Sequence, residues 1–95
     1  MPKGYLILHV TVTDAEPYKD YVRLDTPIFE RHGGRFLVRG GAAEVLEGEA
    51  KARHVVAEFP SLEAARACYE DPEYQEVLKI RTANAESDVI LVEGT

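Results

Sequence analysis

Three stretches of this chain place apolar residues at every second position, and the segments after the first and the third of them switch to a helical period. That order of periods restricts the fold more than any single residue does. Gly4 to Val12 carries Leu6, Leu8 and Val10 on one parity, Arg35 to Arg39 carries Phe36 and Val38, and Arg53 to Phe59 carries Val55, Ala57 and Phe59. Side chains alternate across a strand, so each stretch reads as a strand with one wholly apolar face. A fourth apolar run, within Asp88 to Glu93, holds Val89, Ile90, Leu91 and Val92 in succession, and its parity leaves the inward pair open.

The intervening segments begin with helix caps. Asp14 stands where its carboxylate can accept an early backbone N–H, with Pro17 tolerated in the first turn and Tyr18, Tyr21 and Val22 at helical spacing. Pro27 has no N–H to donate, so a break is expected there, with Thr26 capping a restart that runs to His32. Gly33-Gly34 then ends the helix. After the third strand, Pro60-Ser61 caps a helix bearing Leu62, Ala65 and Tyr69, and Asp71-Pro72 caps another bearing Tyr74, Val77 and Leu78. Gly40-Gly41 suggests a bulge or bend, with Ala43 to Leu46 expected to resume pairing before a turn at Gly48.

The order is therefore β-α-β-β-α-β, a ferredoxin-like α+β two-layer sandwich with an antiparallel sheet whose first and third strands are central. Ninety-five residues fit one such domain, 1–95, and no second. The formal charge of −6 disfavours nucleic acid and anionic membrane as partners, since both would repel it. No apolar run approaches the ~20 residues of a membrane span. A single cysteine, Cys68, and no leader-like segment over Met1 to Tyr5 point to a cytoplasmic protein. Cys68 itself has no neighbouring base and reads as an inert, partly buried thiol.

The apolar parity set packs against the helices, and the opposite parity should face away. It comprises Tyr5, Ile7, His9 and Thr11, then Arg35, Leu37 and Arg39, then His54, Val56 and Glu58. A solvated face would be more polar, so this one implies a partner surface, most simply a second copy of the chain.

The segments Gly33-Gly34-Arg35-Phe36-Leu37-Val38-Arg39-Gly40-Gly41, Glu47-Gly48, Glu58-Phe59-Pro60-Ser61, Tyr69, Pro72-Glu73-Tyr74 and Arg81 together resemble the bacterial family filed as domain of unknown function thirteen-thirty. The likeness runs from Gly4-Tyr5 to Val92-Glu93-Gly94. It implies a dimeric α/β-barrel in which two ferredoxin-like sheets face each other, and it implies no reaction. Cofactor-free monooxygenases, isomerases, dehydratases and haem enzymes all use that fold.

Within the open face, His9 is the expected general base, Glu58 the acid that orients it, Arg39 the clamp for a substrate carboxylate, and Tyr5 and His54 further substrate contacts. Arg39 and Glu58 could instead pair with each other across neighbouring strands. His9, His54 and Glu58 lack any metal-ligand spacing, so neither a metal nor another cofactor is expected. His32 reads as a cation at a helix C-terminus. Three functions fit: a cofactor-free enzyme acting on a small anionic or carbonyl-bearing molecule, a ligand-binding module without turnover, or a structural dimer.

Overall fold

The computed structural model describes residues 2–95; Met1, where the reading of a missing leader begins, lies outside them. The chain forms β1 (Gly4–Val12), α1 (Ala15–Arg31), β2 (Arg35–Arg39), β3 (Arg53–Phe59), α2 (Leu62–Glu70), α3 (Pro72–Asn84) and β4 (Ala85–Glu93). The strands make one antiparallel sheet in the order β2-β3-β1-β4, with β1 and β3 central. With all three helices packed on one side, this is the ferredoxin-like α+β fold that the period pattern predicts. No helix among the described residues is long and apolar enough to cross a membrane.

The caps behave largely as their residue types dictate. Ser61 Oγ accepts from the Ala64 N–H at 3.1 Å, and Asp71 Oδ1 accepts from the Glu73 N–H at 2.8 Å, with Pro72 in the first turn. Gly33 takes φ +81°, Gly33 N–H donates to the Glu30 carbonyl and Gly34 N–H to that of Phe29, the paired bonds of a Schellman stop. Asp14 occupies the N-cap position of α1 but makes no side-chain capping bond.

Pro27 does not break α1, contrary to expectation; the helix is continuous from Ala15 to Arg31. The carbonyl it cannot serve is that of Arg23. Both residues lie on the exposed side, so that carbonyl can turn to water. β4 begins at Ala85 rather than Asp88, directly after α3, because β1 is long enough to pair with it all the way from Gly4 to Val12. Residues 40–52 form no regular element, so the expected strand over Ala43 to Leu46 is absent. Gly40, at φ +69°, turns the chain out of β2, and the segment beyond it is exposed.

The core is the predicted parity set. Leu6, Leu8, Val10, Val55, Ala57 and Phe59 are buried together with Ile28 and Phe29 of α1, Ala65 and Cys68 of α2, and Tyr74 of α3. β4 resolves its ambiguity by presenting Val89 and Leu91 to this core and Ile90 and Val92 to the other face. β2 breaks the pattern. Phe36 opposes Ala57, but Val38 opposes Val56, so Leu37 is an extra residue and the parity inverts beyond it. Val38 thus leaves the core for the open face, at 43% exposure, and Arg39 crosses to the helix side.

Candidate functional site

The pairing registers sort the open face into rows that cross the sheet. Val38, Val56, Ile7 and Ile90 form a wholly apolar row through all four strands. On one side lies Arg35, Glu58, Tyr5 and Val92; on the other, His54, His9 and Asp88. His9 and Glu58 therefore stand four residues apart along the strands, about 13 Å at ~3.3 Å per residue. Glu58 does not orient His9.

Each polar group here is satisfied by a neighbour, in its own row except for Asp88. Tyr5 donates its hydroxyl to Glu58 Oε2 at 3.0 Å, and Arg35 Nε donates to Glu58 Oε1 at 3.1 Å. The Tyr5 bond, more than Arg35, holds the Glu58 carboxyl below its usual range and in return raises the phenol. His9 and His54 hydrogen-bond through their Nδ1 atoms, 2.9 Å apart with rings edge to face, one ring donating and the other accepting. Asp88 takes Lys51 at 2.7 Å. Among the described residues no three His, Cys, Asp or Glu side chains gather as a metal set.

Arg39 is not on this face, and this corrects the expected constellation. Its Nη2 donates to Asp25 Oδ1 at 2.8 Å, to Thr26 Oγ1 at 2.6 Å and to the Val22 carbonyl at 2.9 Å, all on α1. Its guanidinium lies 3.8 Å over the Phe36 ring, which stacks on Phe29. The expected Arg39–Glu58 pair is thus replaced by Arg39–Asp25 and Arg35–Glu58.

This second cluster lies between helices and sheet. Asp25 is 5% exposed. Loss of water around it raises its carboxyl from 3.8 to about 6, against the opposing pull of Arg39, the Thr26 hydroxyl, Arg53 and Arg81. Thr26 and Arg39 both engage Oδ1, so Oδ2 is the oxygen available to carry a proton. Arg81, itself buried, donates to Ser87 Oγ and faces the Tyr21–Tyr74 hydroxyl pair, whose oxygens are 2.7 Å apart. The Nε atoms of Arg53 and Arg81 are buried with no hydrogen-bond partner. Three guanidinium groups thus act electrostatically on one carboxylate, Arg39 in direct contact, in a chain of net charge −6.

An internal void of about 10 Å³, close to the least that admits a water, lies among Tyr18, Tyr21, Asp25, Arg39 and Arg53. A cleft of about 350 Å³ lies beside it, lined by Val12, Ala15, Tyr18, Lys19, Val22 and Arg53. Tyr18, Val22 and Arg53 line both.

Sequence reasoning gave no functional role to Asp25, Arg53 or Arg81, although Arg81 is among the residues that carry the family resemblance. A signal for two of them exists. Asp25 falls four residues after Tyr21 and three before Ile28, and Arg81 four after Val77, so both are charged residues inside apolar stripes. Arg53 gives no such signal at the start of its strand. Cys68 is fully buried, beyond the partial burial expected, and burial pushes its thiol up to about 12; His32 at the end of α1 pairs with Asp71 at 2.8 Å, keeping that carboxyl far below its usual range with help from Arg31.

The family model described as Domain of unknown function (DUF1330) matches residues 3–95. Among solved structures, a protein of unknown function from Rhodopseudomonas palustris is 28% identical, with a TM-score of 0.81 over 99% of this chain and 83% of its own. SnoaB, a cofactor-independent oxygenase from Streptomyces nogalater, is 18% identical, with a TM-score of 0.67 over 97% and 92%. The de novo designed protein Foldit4 is 16% identical, with a TM-score of 0.63 over 95% and 96%. An oxygenase and a designed protein at similar structural distance establish the fold and no reaction. No curated protein matches the sequence.

Proposed function

The chain belongs to the DUF1330 family of unknown function, and from that premise we propose that it is a homodimeric, cofactor-free enzyme that moves a proton on a small anionic or carbonyl-bearing molecule, with Asp25 as the proton carrier. One observation carries the reading: a nearly inaccessible carboxyl, raised to about 6 under the opposing pull of three guanidinium groups, lines a small void that shares Tyr18, Val22 and Arg53 with an outer cleft. A group with that value is partly ionised near neutral pH, so it can both take and return a proton.

The chemistry that fits is abstraction of a proton from carbon next to a carbonyl and its return at another position. Asp25 Oδ2 receives the proton, the guanidinium groups stabilise the oxyanion that forms, and the same carboxyl releases the proton. Nothing is oxidised or reduced. The reading moves the base from His9, which is engaged by His54, and gives the open face with Tyr5, Glu58 and His54 to assembly. Its apolar row, with Leu37 and Val92 exposed beside it at 47% and 40%, supports burial against a second copy.

The test is a thermal-shift screen of small carboxylic acids and carbonyl compounds, followed by assay of each binder for isomerisation or for exchange of its carbon-bound protons with solvent. Turnover that rises with pH through about 6 and disappears in Asp25→Asn supports the reading. Binding without turnover of any binder overturns it in favour of a ligand-binding module. Sedimentation at micromolar concentration tests assembly, and a monomer overturns that part.

A further inference from the structure

Arg53 differs from every other arginine close to Asp25. Arg39 spends its Nη2 on three α1 acceptors, and Arg81 reaches Ser87 and the tyrosine pair. Arg53 makes no side-chain hydrogen bond to any described residue, no acidic group lies within ion-pair distance of it, and its Nε is buried. A guanidinium has five donors in a planar fork; the Nε donor of Arg53 is buried, and its Nη donors, which bond to no described residue, are the ones a ligand in the cleft can take.

The fold also makes room for this side chain. A Cβ at Gly40 would collide with Arg53 Nη1, so only a glycine lets the guanidinium lie where it does. Across from it the Tyr18 ring centroid stands 5.6 Å from Cζ, within cation–π range. The side chain stands between the outer cleft and the inner void, lining both. The cleft's other walls, Val12, Ala15, Tyr18 and Val22, are apolar or aromatic, and the only other cation lining it is Lys19. At ~30 Å³ per water-sized group, about 350 Å³ holds roughly a dozen non-hydrogen atoms.

We propose that the cleft binds a compact monocarboxylic acid with an aromatic or branched aliphatic body, its carboxylate held by Arg53 and its body lying on Tyr18, Val12 and Val22. This names the substrate class for the site assigned to Asp25 and rests on that reading. Carboxylate and fork meet in the two-bond geometry that arginine favours, and a bound anion restores charge balance where three guanidinium groups face one carboxylate.

The experiment is calorimetric titration at pH 7 with phenylacetate, its neutral isostere phenylacetamide, and inorganic phosphate. Phenylacetate is expected to bind about tenfold or more tightly than either of the others, since a charge-assisted pair and an apolar wall act together. Arg53→Gln is expected to lose that advantage and Arg53→Lys to keep part of it, with circular dichroism confirming that each variant is folded. Asp25→Asn is expected to keep or tighten binding. Equal affinity for acid and amide, equal affinity for phosphate, or unchanged binding in Arg53→Gln each overturns the proposal. Titration of Asp25 followed by carbon NMR is independent of the ligand, so an ordinary value near 4 sinks the Asp25 reading and leaves the carboxylate measurement standing.

Discussion

The two faces of the sheet treat charge in opposite ways. On the open face, Tyr5, Arg35 and Glu58 satisfy one another, as do His9 and His54, and these groups keep contact with solvent. On the helix side, Asp25 and Arg81 are drawn out of water and the cationic groups outnumber the anionic. Exposed pairs contribute little to stability, and a buried carboxylate with incomplete compensation costs it. A charge arrangement that costs stability supports the proposal of a site for chemistry on the helix side, and locally closed pairs fit the proposal of an interface on the open face.

The largest effect that would break this contrast is expected from Arg39→Ala. Removing the nearest cation from buried Asp25 should destabilise the fold by about 3 kcal/mol in urea unfolding at pH 7.5, and by clearly less at pH 4.5, where the carboxyl is protonated. An equal loss at both pH values would show that Arg39 acts through its packing on Phe36 alone.

Next comes Asp25→Asn, with the opposite sign. The folded carboxyl titrates at about 6 and the unfolded one at the ordinary 3.8, so between those values the folded state binds more protons. Stability from this group is full below about pH 4, falls as pH rises to about 6, and stays low above, a change of about 3 kcal/mol. Asp25→Asn should flatten that fall and raise stability at pH 7 by up to about 3 kcal/mol, read from unfolding curves at pH 4, 5, 6 and 7. A wild-type stability that instead rises from pH 4 to 6 would contradict the assigned burial cost.

On the open face, Ile90→Lys should weaken self-association by tenfold or more, about 1.4 kcal/mol, with the unfolding of the dilute protein little changed. Sedimentation equilibrium reads the first and urea the second. The smallest effect belongs to Tyr5→Phe, which should let the Glu58 carboxyl rise toward its ordinary value in an NMR titration while the fold is unaffected. Cleft affinity for phenylacetate should be indifferent to both open-face changes.

The sheet order and the core parity were legible because they follow from period alone: Leu6, Leu8, Val10, Val55, Ala57 and Phe59 allow one inward face. The constellation on the open face was not. Tyr5 and Glu58 do meet, and so do His9 and His54, but as two separate pairs, since register along a strand decides contact and parity does not. Arg39 failed for a sharper reason. The run Arg35-Phe36-Leu37-Val38-Arg39 reads as regular alternation, and no glycine marks the bulge within it, while the glycine pair that drew attention only ends the strand. Asp25 was overlooked although its position in the apolar stripe of α1 announces it. A carboxylate at a core position is a stronger sign than a histidine on a mixed face.

The bulge at Leu37 has a consequence for how such a site is kept or lost through insertion and deletion. One residue of extra length in β2 decides to which side of the sheet the charge of Arg39 is delivered. Shortening the strand by one, with its composition otherwise intact, would set a cation into the apolar row's neighbourhood and leave Asp25 without its closest counter-charge. The count of residues in this five-residue strand therefore sets the electrostatic surroundings of Asp25 as much as the identity of its residues does.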